Sequence, residues 1–506
     1  DAGRRRMTTM RHAPPNAAIM IEALRGLGYN TATALADIID NSISAGARKV
    51  DLTFHWRESD CYIVVRDNGC GMSAAELDVA MRLGVKNPLT KRPGHDLGRF
   101  GLGLKTASFS QCRRLTVFSK KEGITTILRW DLDILAASTD DGWYLLEGAD
   151  PGSQEALANA EPDSHGTVVL WDVLDRIVTP GYGEKDFLNL MDGVEQHLAM
   201  VFHRFLEGNA PRLTLTLNGR KIKAWDPFLS GHPSKPWHSP LAMAPGAPAV
   251  KVECHVLPHQ DHLTTQEYQQ AQGPAGWTAQ QGFYVYRNER LLVAGNWLGL
   301  GNPRAWTKDE THRLARIRLD IPNDADIDWK IDIRKSMARP PVSLRPWLTQ
   351  LAQSTRDRAV RTFAKRGKMN KRKPGEELVH LWQAQKTSSG VRYQISLQHP
   401  VISNVLSQAG ELSPQIQAML RLIEETVPVQ QIWLDTAETK ETPRTGFETA
   451  SPAEVLSVLQ VMYQTLVGQQ AMSPALAKQH LQNMEPFDNY PELIAQLPDD
   501  QQEKSL

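Results

Sequence analysis

Three polar or glycine-punctuated segments, set in a fixed order near the start of the chain, constrain its fold and chemistry more than any other feature. Residues 34–46 read ALADIIDNSISAG; then come Asp67-Asn68-Gly69-Cys70-Gly71-Met72 and Gly98-Arg99-Phe100-Gly101-Leu102-Gly103-Leu104-Lys105-Thr106. The spacing predicts a helix of about four turns from Thr31 to Ala45. Asp37 and Asn41 stand four residues apart on it and share a face, so a carboxylate and an amide reach one cleft. Residues 61–65, CYIVV, are apolar and rich in β-branched side chains, which predicts a buried strand stopping at Arg66-Asp67. Gly69 and Gly71 bracket a turn that a Cβ would obstruct. A second, short helix is expected from Leu104 to Ser110, with Gly98, Gly101 and Gly103 before it.

Taken singly, each segment has a plainer reading: a solvated helix face, an ordinary turn, a loop. Together they describe a site for a purine triphosphate. The Asn41 amide oxygen suits magnesium, which takes hard oxygens and keeps several waters. Asp37, one turn earlier, is placed to orient an attacking water as general base. Asp67 at a strand end is suited to accept from an exocyclic amine such as that of adenine. Bare N–H groups around Gly98 to Gly103, with Lys105 as a point charge, form an anion site. The glycine spacing is not the dinucleotide fingerprint, because the preceding LTKRPGHDL is loop-like and not a strand.

These residues resemble the GHKL ATPase superfamily, which groups gyrase, MutL mismatch-repair proteins, ninety-kilodalton heat-shock chaperones and histidine kinases. ALADIIDNSISAGA looks like its N-box, DNGCGM its first glycine box and GRFGLGLKTAS its second. His165-Gly166-Thr167-Val168-Val169 looks like the late Gly-Thr element. Within the superfamily, RLGVKNP, HGTVVLWDVLDR and GFYVYRNERLLVAG are most similar to the microrchidia (MORC) ATPases and their bacterial relatives, over roughly residues 16–345. The resemblance implies a Bergerat ATP-binding sandwich of α/β (α+β) class. It implies that Asn41 binds magnesium and Asp67 the adenine amine, with Thr167 beside it. Ala45, Gly69, Gly71 and Met72 would line the nucleotide, Lys86 would lie near ribose or phosphate, and Gly98, Arg99, Phe100, Gly101, Leu102, Gly103, Leu104, Lys105 and Thr106 would hold the phosphates. Asp37 stands where the superfamily usually has glutamate, and being one methylene shorter it predicts slow turnover. Ser44 stands where relatives often carry aspartate.

Members of the family add a second domain whose lysine reaches the γ-phosphate. Beyond a helix expected over Phe187–Phe205, strands are expected at 213–222, 249–257, 282–293, 315–321 and 329–334, a transducer-like sheet. Lys335 is the expected catalytic lysine, seven residues after Asp328, with Lys330 as the second candidate.

At 506 residues the chain exceeds one core, and the expected division is an ATP-binding domain at 12–185 and a transducer at 186–345. A basic helix and linker at 346–375 and a mainly helical tail, opening with a short hairpin, at 376–506 complete it. Proline- and glycine-rich 229–248 and glutamine-rich 258–281 read as loops inside the transducer. Net charge is zero, yet from Arg356 to Lys373 there are nine Lys or Arg against one acid, Asp357. Such a run suits nonspecific, salt-sensitive contact with DNA, or it is a solvated helix end. Cys61, Cys70, Cys112 and Cys254 are scattered without zinc spacing, which suits a reducing compartment. No stretch approaches eighteen apolar residues, so a cytoplasmic location is expected. Met7 or Met10 are candidate native starts.

The reading that follows is an ATP-gated homodimeric clamp on DNA or a DNA-bound partner, for a bacterial copy in phage defence or a restriction-linked system. The alternative is a chaperone-like ATPase acting on a protein client. Phosphotransfer of the histidine-kinase kind is disfavoured, because those proteins lack the acidic base and the second-domain lysine.

Overall fold

The computed structural model describes residues 15–84, 103–138, 142–325, 327–332, 335, 337–364, 379–387, 390–432, 451–469 and 471–499. The chain divides into two compact units, residues 1–364 and 365–506.

In the first unit the apolar spacing of the early segments yields two helices, α1 (Ala17–Arg25) and α2 (Thr31–Ser44). The side chain of Asn30 caps α2 by accepting from Thr33 N. At the other end Gly46, at φ +75°, lets the chain turn back. There Gly46 N donates to Ile43 O and Ala47 N to Ser42 O, the paired bonds that close a helix with glycine just past its end.

An eight-stranded sheet carries the helices, in the order β5-β4-β3-β6-β2-β1-β7-β8. Its strands are β1 (Lys49–His55), β2 (Tyr62–Asp67), β3 (Arg114–Lys121), β4 (Ile124–Asp131), β5 (Leu146–Glu147), β6 (Gly166–Asp172), β7 (Thr214–Leu217) and β8 (Arg220–Lys221). Strand periodicity sorts β2 between two cores. Ile63 and Val65 enter the large one with α2, whereas Val64 packs with Phe118, Val168 and Leu170 on the reverse face. Asp67 falls on the parity of Ile63 and Val65, and so on the helix side. Helices α3 (Ala74–Met81), α4 (Gly103–Phe109), α5 (Leu132–Ala137) and, after α6 (Gln154–Ala158), α7 (Glu184–Val201) complete this layer, followed by the short α8 (His203–Leu206), whereas α6 covers the reverse face through Ala156 and Leu157.

The strand signal at 213–222 is a hairpin turned by Asn218 and Gly219, both at positive φ, and β7 pairs in parallel with β1. It therefore extends the first sheet and not the second. The second sheet runs β10-β11-β14-β12-β13, with β9 against β11. Its strands are β9 (Trp237–His238), β10 (Ala242–Ala244), β11 (Ala247–Val256), β12 (Gly282–Arg287), β13 (Arg290–Asn296) and β14 (Ala315–Ile321). The signal at 282–293 is two strands, because Asn288 and Glu289 both adopt positive φ and reverse the chain. The proline-rich 229–248 contributes β9 and β10, and 258–281 contains α9 (Thr265–Ala271). No strand forms over the described part of 329–334, where residues 329 and 330 lie in a turn. Lys330 and Lys335 both adopt positive φ, which a ladder does not accommodate.

The two sheets are joined inside this unit by aromatic and charged contacts. Met200, Phe228, Tyr284, Tyr286 and Leu291 form one cluster. His203 Nε2 lies 2.8 Å from Tyr286 Oη, and Arg204 Nη1 donates to Asp320 Oδ1 at 2.5 Å. Helix α10 (Arg345–Ala364) closes the second sheet through Leu348, Ala352 and Ala359. Its Arg356 is buried against the rings of Trp297 and Trp306, at 4.7 and 4.8 Å from their centres, and lies 3.6 Å from Asp309. The basic run therefore begins, as a surface, at Arg358, which is exposed as is Arg361; residues 365–373 lie outside the described residues.

In the second unit, β15 (Trp382–Thr387) and β16 (Gly390–Ile395) form the expected hairpin. Helices Pro400–Gln408, Ser413–Glu425, Pro452–Gln464, Pro474–Gln482 and Pro491–Ala495 follow, the last three around Val455, Leu459, Leu481 and Ile494. Among the described residues no helix is long and apolar enough to cross a membrane.

Candidate active site

Seven consecutive residues of α2, Ala34 to Asp40, are buried, so a carboxylate on this helix has no solvent to satisfy it and must be paired. Asp37 is 4% exposed and Asp40 is 1% exposed. Tyr29, just before the helix, donates its hydroxyl to Asp37 Oδ2 at 2.9 Å. The other partners come from the second sheet's side of the unit. Lys335 Nζ donates to Asp37 Oδ1 at 3.0 Å and to Asp40 Oδ2 at 2.5 Å. Arg290, at the start of β13, donates from Nε to Asp40 Oδ1 at 3.1 Å, and its Nη2 lies 3.7 Å from Asp37 Oδ1. Burial alone would raise the Asp40 carboxyl, but the Arg290 and Lys335 charges outweigh it and hold the group below its ordinary value.

Register builds the neighbouring cradle. Asp67 sits opposite Thr167, and Thr167 opposite Ser119, so the three side chains line one row across β2, β6 and β3. Asp67 accepts from Ser42 Oγ at 2.8 Å on one oxygen, and from Gly69 N at 2.9 Å and Thr167 N at 3.2 Å on the other. Burial pushes its carboxyl above the ordinary value, with these donors pulling the other way. Ser119 Oγ lies 3.1 Å from Thr167 Oγ1 and accepts from Met72 N at 2.8 Å. The glycines answer to the protein backbone itself. A Cβ on Gly71, at φ +68°, would lie 2.1 Å from Lys120 O, and one on Gly166 2.1 Å from Asp67 O. A Cβ on Gly69 would meet Ala45 at 2.9 Å, where Ala45 O also accepts from Cys70 N.

A family model described as "Histidine kinase-, DNA gyrase B-, and HSP90-like ATPase" matches residues 29–167, the span that holds both α2 and the Asp67 cradle.

Residues 29–167 belong to the GHKL ATPase superfamily.

The ATPase morc-1 of Caenorhabditis elegans is 32% identical over 96 residues, 19% of this chain and 11% of that protein. The DNA mismatch repair protein MutL of Rhodospirillum rubrum is 29% identical over 189 residues, 37% of this chain and 26% of that protein. MutL of Paramagnetospirillum magneticum is 30% identical over 107 residues, 20% and 17% respectively. The chain thus spans between about a tenth and about a quarter of the curated relatives it matches.

Within the GHKL domain the expected site residues fall into three groups. Asp37, Ala45, Asp67, Gly69, Gly71, Met72 and Thr167 gather around α2 and the paired ends of β2 and β6, and Asn41 is exposed on α2, four residues past Asp37. Gly103, Leu104, Lys105 and Thr106 are on α4. There the Lys105 ammonium is buried and donates to Ala80 O at 2.8 Å, so it faces α3, a placement the glycine-box reading does not anticipate. Lys86, Gly98, Arg99, Phe100, Gly101 and Leu102 lie outside the described residues. Outside the domain, Lys335 reaches α2 whereas Lys330 is exposed. Ser44 donates to Asp40 O at 2.9 Å, within its own helix.

Sequence reasoning passed over Tyr29, Asp40, Ser42, Ser119 and Arg290. Asp40 carried a signal, an acid three residues after Asp37 inside an apolar helix. Arg290 carried none until the turn at Asn288 and Glu289 is known.

Proposed function

We propose that this chain is a slow, magnesium-dependent ATPase whose nucleotide drives two copies together as a clamp on DNA or a DNA-bound partner. The observation that carries the reading is the contact of Lys335 Nζ with Asp37 Oδ1 at 3.0 Å, a cation from beyond the ATPase domain on its N-box carboxylate. In the proposed roles Asp37 orients the attacking water, Lys335 binds the γ-phosphate, and Asp67 accepts from the adenine amine beside Thr167. The donor chemistry fits magnesium, since Asn41 offers a hard amide oxygen on the exposed side of α2. When bound, the ion would neutralise phosphate charge.

Lys335 is released from Asp37 only if something else takes its charge, so nucleotide entry would couple the second sheet to the ATPase domain. A clamp requires that coupling, because a ligand shifts an equilibrium only through its differential affinity for the two states. MORC and MutL relatives carry the names ATPase and DNA mismatch repair protein, which favours DNA over other objects. The DNA-facing surface would use Arg358, Arg361 and the basic run to Lys373.

Light scattering without nucleotide, with a nonhydrolysable ATP analogue plus magnesium, and with ADP tests the clamp. A mass that doubles only with the analogue supports it; an unchanged mass in all three states contradicts it. Filter binding of DNA at two salt concentrations tests the object, with affinity expected to rise as salt falls.

A further inference from the structure

Asp37 and Asp40 face two cations with different degrees of freedom. Arg290 is held at four points: Nε on Asp40, Nη2 near Asp37, Nη1 donating to Leu291 O at 2.7 Å, and its guanidinium 5.8 Å from the Phe202 ring. Lys335 is a single ammonium on a four-carbon stem, bonded by Nζ to the two carboxylates. The four side chains are each less than a tenth exposed, and their charges sum to zero.

If Lys335 moved to a phosphate with nothing else nearby, two buried carboxylates would be left uncompensated, which is strongly unfavourable. Arg290 already lies within ion-pairing distance of both. We propose that Arg290 is a positioning residue, the fixed counter-ion that keeps Asp37 and Asp40 paired so that Lys335 is free to leave them for the γ-phosphate. The proposal rests on the reading of Lys335 as phosphate ligand. Arg290 itself makes no contact with nucleotide in this scheme. Its removal leaves Lys335 as sole counter-ion of two acids and so holds the lysine in place. Removing Asp40 as well restores a neutral cluster with one acid and one lysine.

The test compares Arg290→Gln, Asp40→Asn and the double variant in the full chain. Turnover of ATP should fall about tenfold or more in Arg290→Gln and recover to within about threefold of the parent in the double variant. ADP affinity, which does not involve Lys335, should stay within about twofold in all three. A second readout needs no turnover: acetylation of Lys335 by a water-soluble acetyl ester, followed by mass spectrometry in nucleotide-free protein. It should be slowest in Arg290→Gln, fastest in Asp40→Asn, and near the parent rate in the double variant. Equal acetylation rates in all variants, or a double variant as slow in turnover as Arg290→Gln, overturn the proposal. Should Lys335→Met hydrolyse ATP at the parent rate, the phosphate-ligand reading fails instead, and the acetylation order still decides whether Arg290 is the shared counter-ion. If Arg290→Gln does not fold, the Asp40→Asn and double variants carry the same comparison.

Discussion

Lys335 Nζ and Asp37 Oδ1 lie 3.0 Å apart although 298 positions separate them in the chain. That contact ties a turn after the second sheet to the first sheet's central helix, and it makes Lys335 and Lys330 experimentally separable. Lys335→Met should lower ATP turnover by about 10²-fold or more, the scale of removing one preorganised charge at a reacting phosphate. Lys330→Met, at an exposed side chain, should stay within about twofold. Steady-state phosphate release from the two variants decides between them, and equal rates would remove Lys335 from the mechanism.

Asp37→Asn should abolish turnover while leaving nucleotide affinity within about threefold, because the group is assigned to the water and not to the ligand. Single-turnover hydrolysis beside equilibrium binding separates the two effects. A loss of binding equal to the loss of rate would assign Asp37 to the pocket wall.

Gly166, the first residue of β6, should be irreplaceable for a reason independent of ATP. Gly166→Ala places a Cβ 2.1 Å from Asp67 O at φ +142°, and the strand pair must separate to admit it. The expected loss is about 3 kcal/mol or more in urea unfolding. Gly46→Ala is the matched comparison, at φ +75° with nothing within 4 Å, and should lose only about 1 kcal/mol.

The apolar, β-branched run of residues 61–65, the glycine turn and the N-box spacing make the end of β2 and its Asp67 readable from sequence, because each depends on neighbours within a few residues. The α/β class follows from the same local patterns. What escapes is long-range. β7 has the same period-2 signal as the strands after it, and nothing local says that it pairs with Lys49–Leu52 of β1. Arg356 reads as one more surface cation in a basic run, yet three-dimensional packing buries it against two indoles. Ser42 and Ser119 read as filler hydroxyls until register sets them beside Asp67 and Thr167.

His255 gives a pH signature to the second sheet. Burial first, then the neighbouring His238, lowers its imidazole from 6.5 to about 4, and it stacks on Phe228 at 4.4 Å. At neutral pH it is uncharged, so the 3.7 Å approach of Glu253 is not an ion pair. Between these values the unfolded chain binds a proton that the folded chain refuses. Its contribution is therefore intact above about pH 6.5 and lost as pH falls towards 4, by about 3 kcal/mol in all. Thermal unfolding of the parent and His255→Gln from pH 7 to pH 4 should show a smaller decline in the variant; parallel declines would contradict the assignment.

In the proposed function the Asp67 cradle and the N-box helix form one ATP pocket. Isothermal titration calorimetry of the parent and Asp67→Asn with ATP and magnesium tests it directly. The parent should bind with measurable heat, and Asp67→Asn about tenfold or more weaker, the scale of losing a charge-assisted hydrogen bond. No heat of binding in the parent at millimolar ATP, or equal affinity in the two proteins, would contradict it.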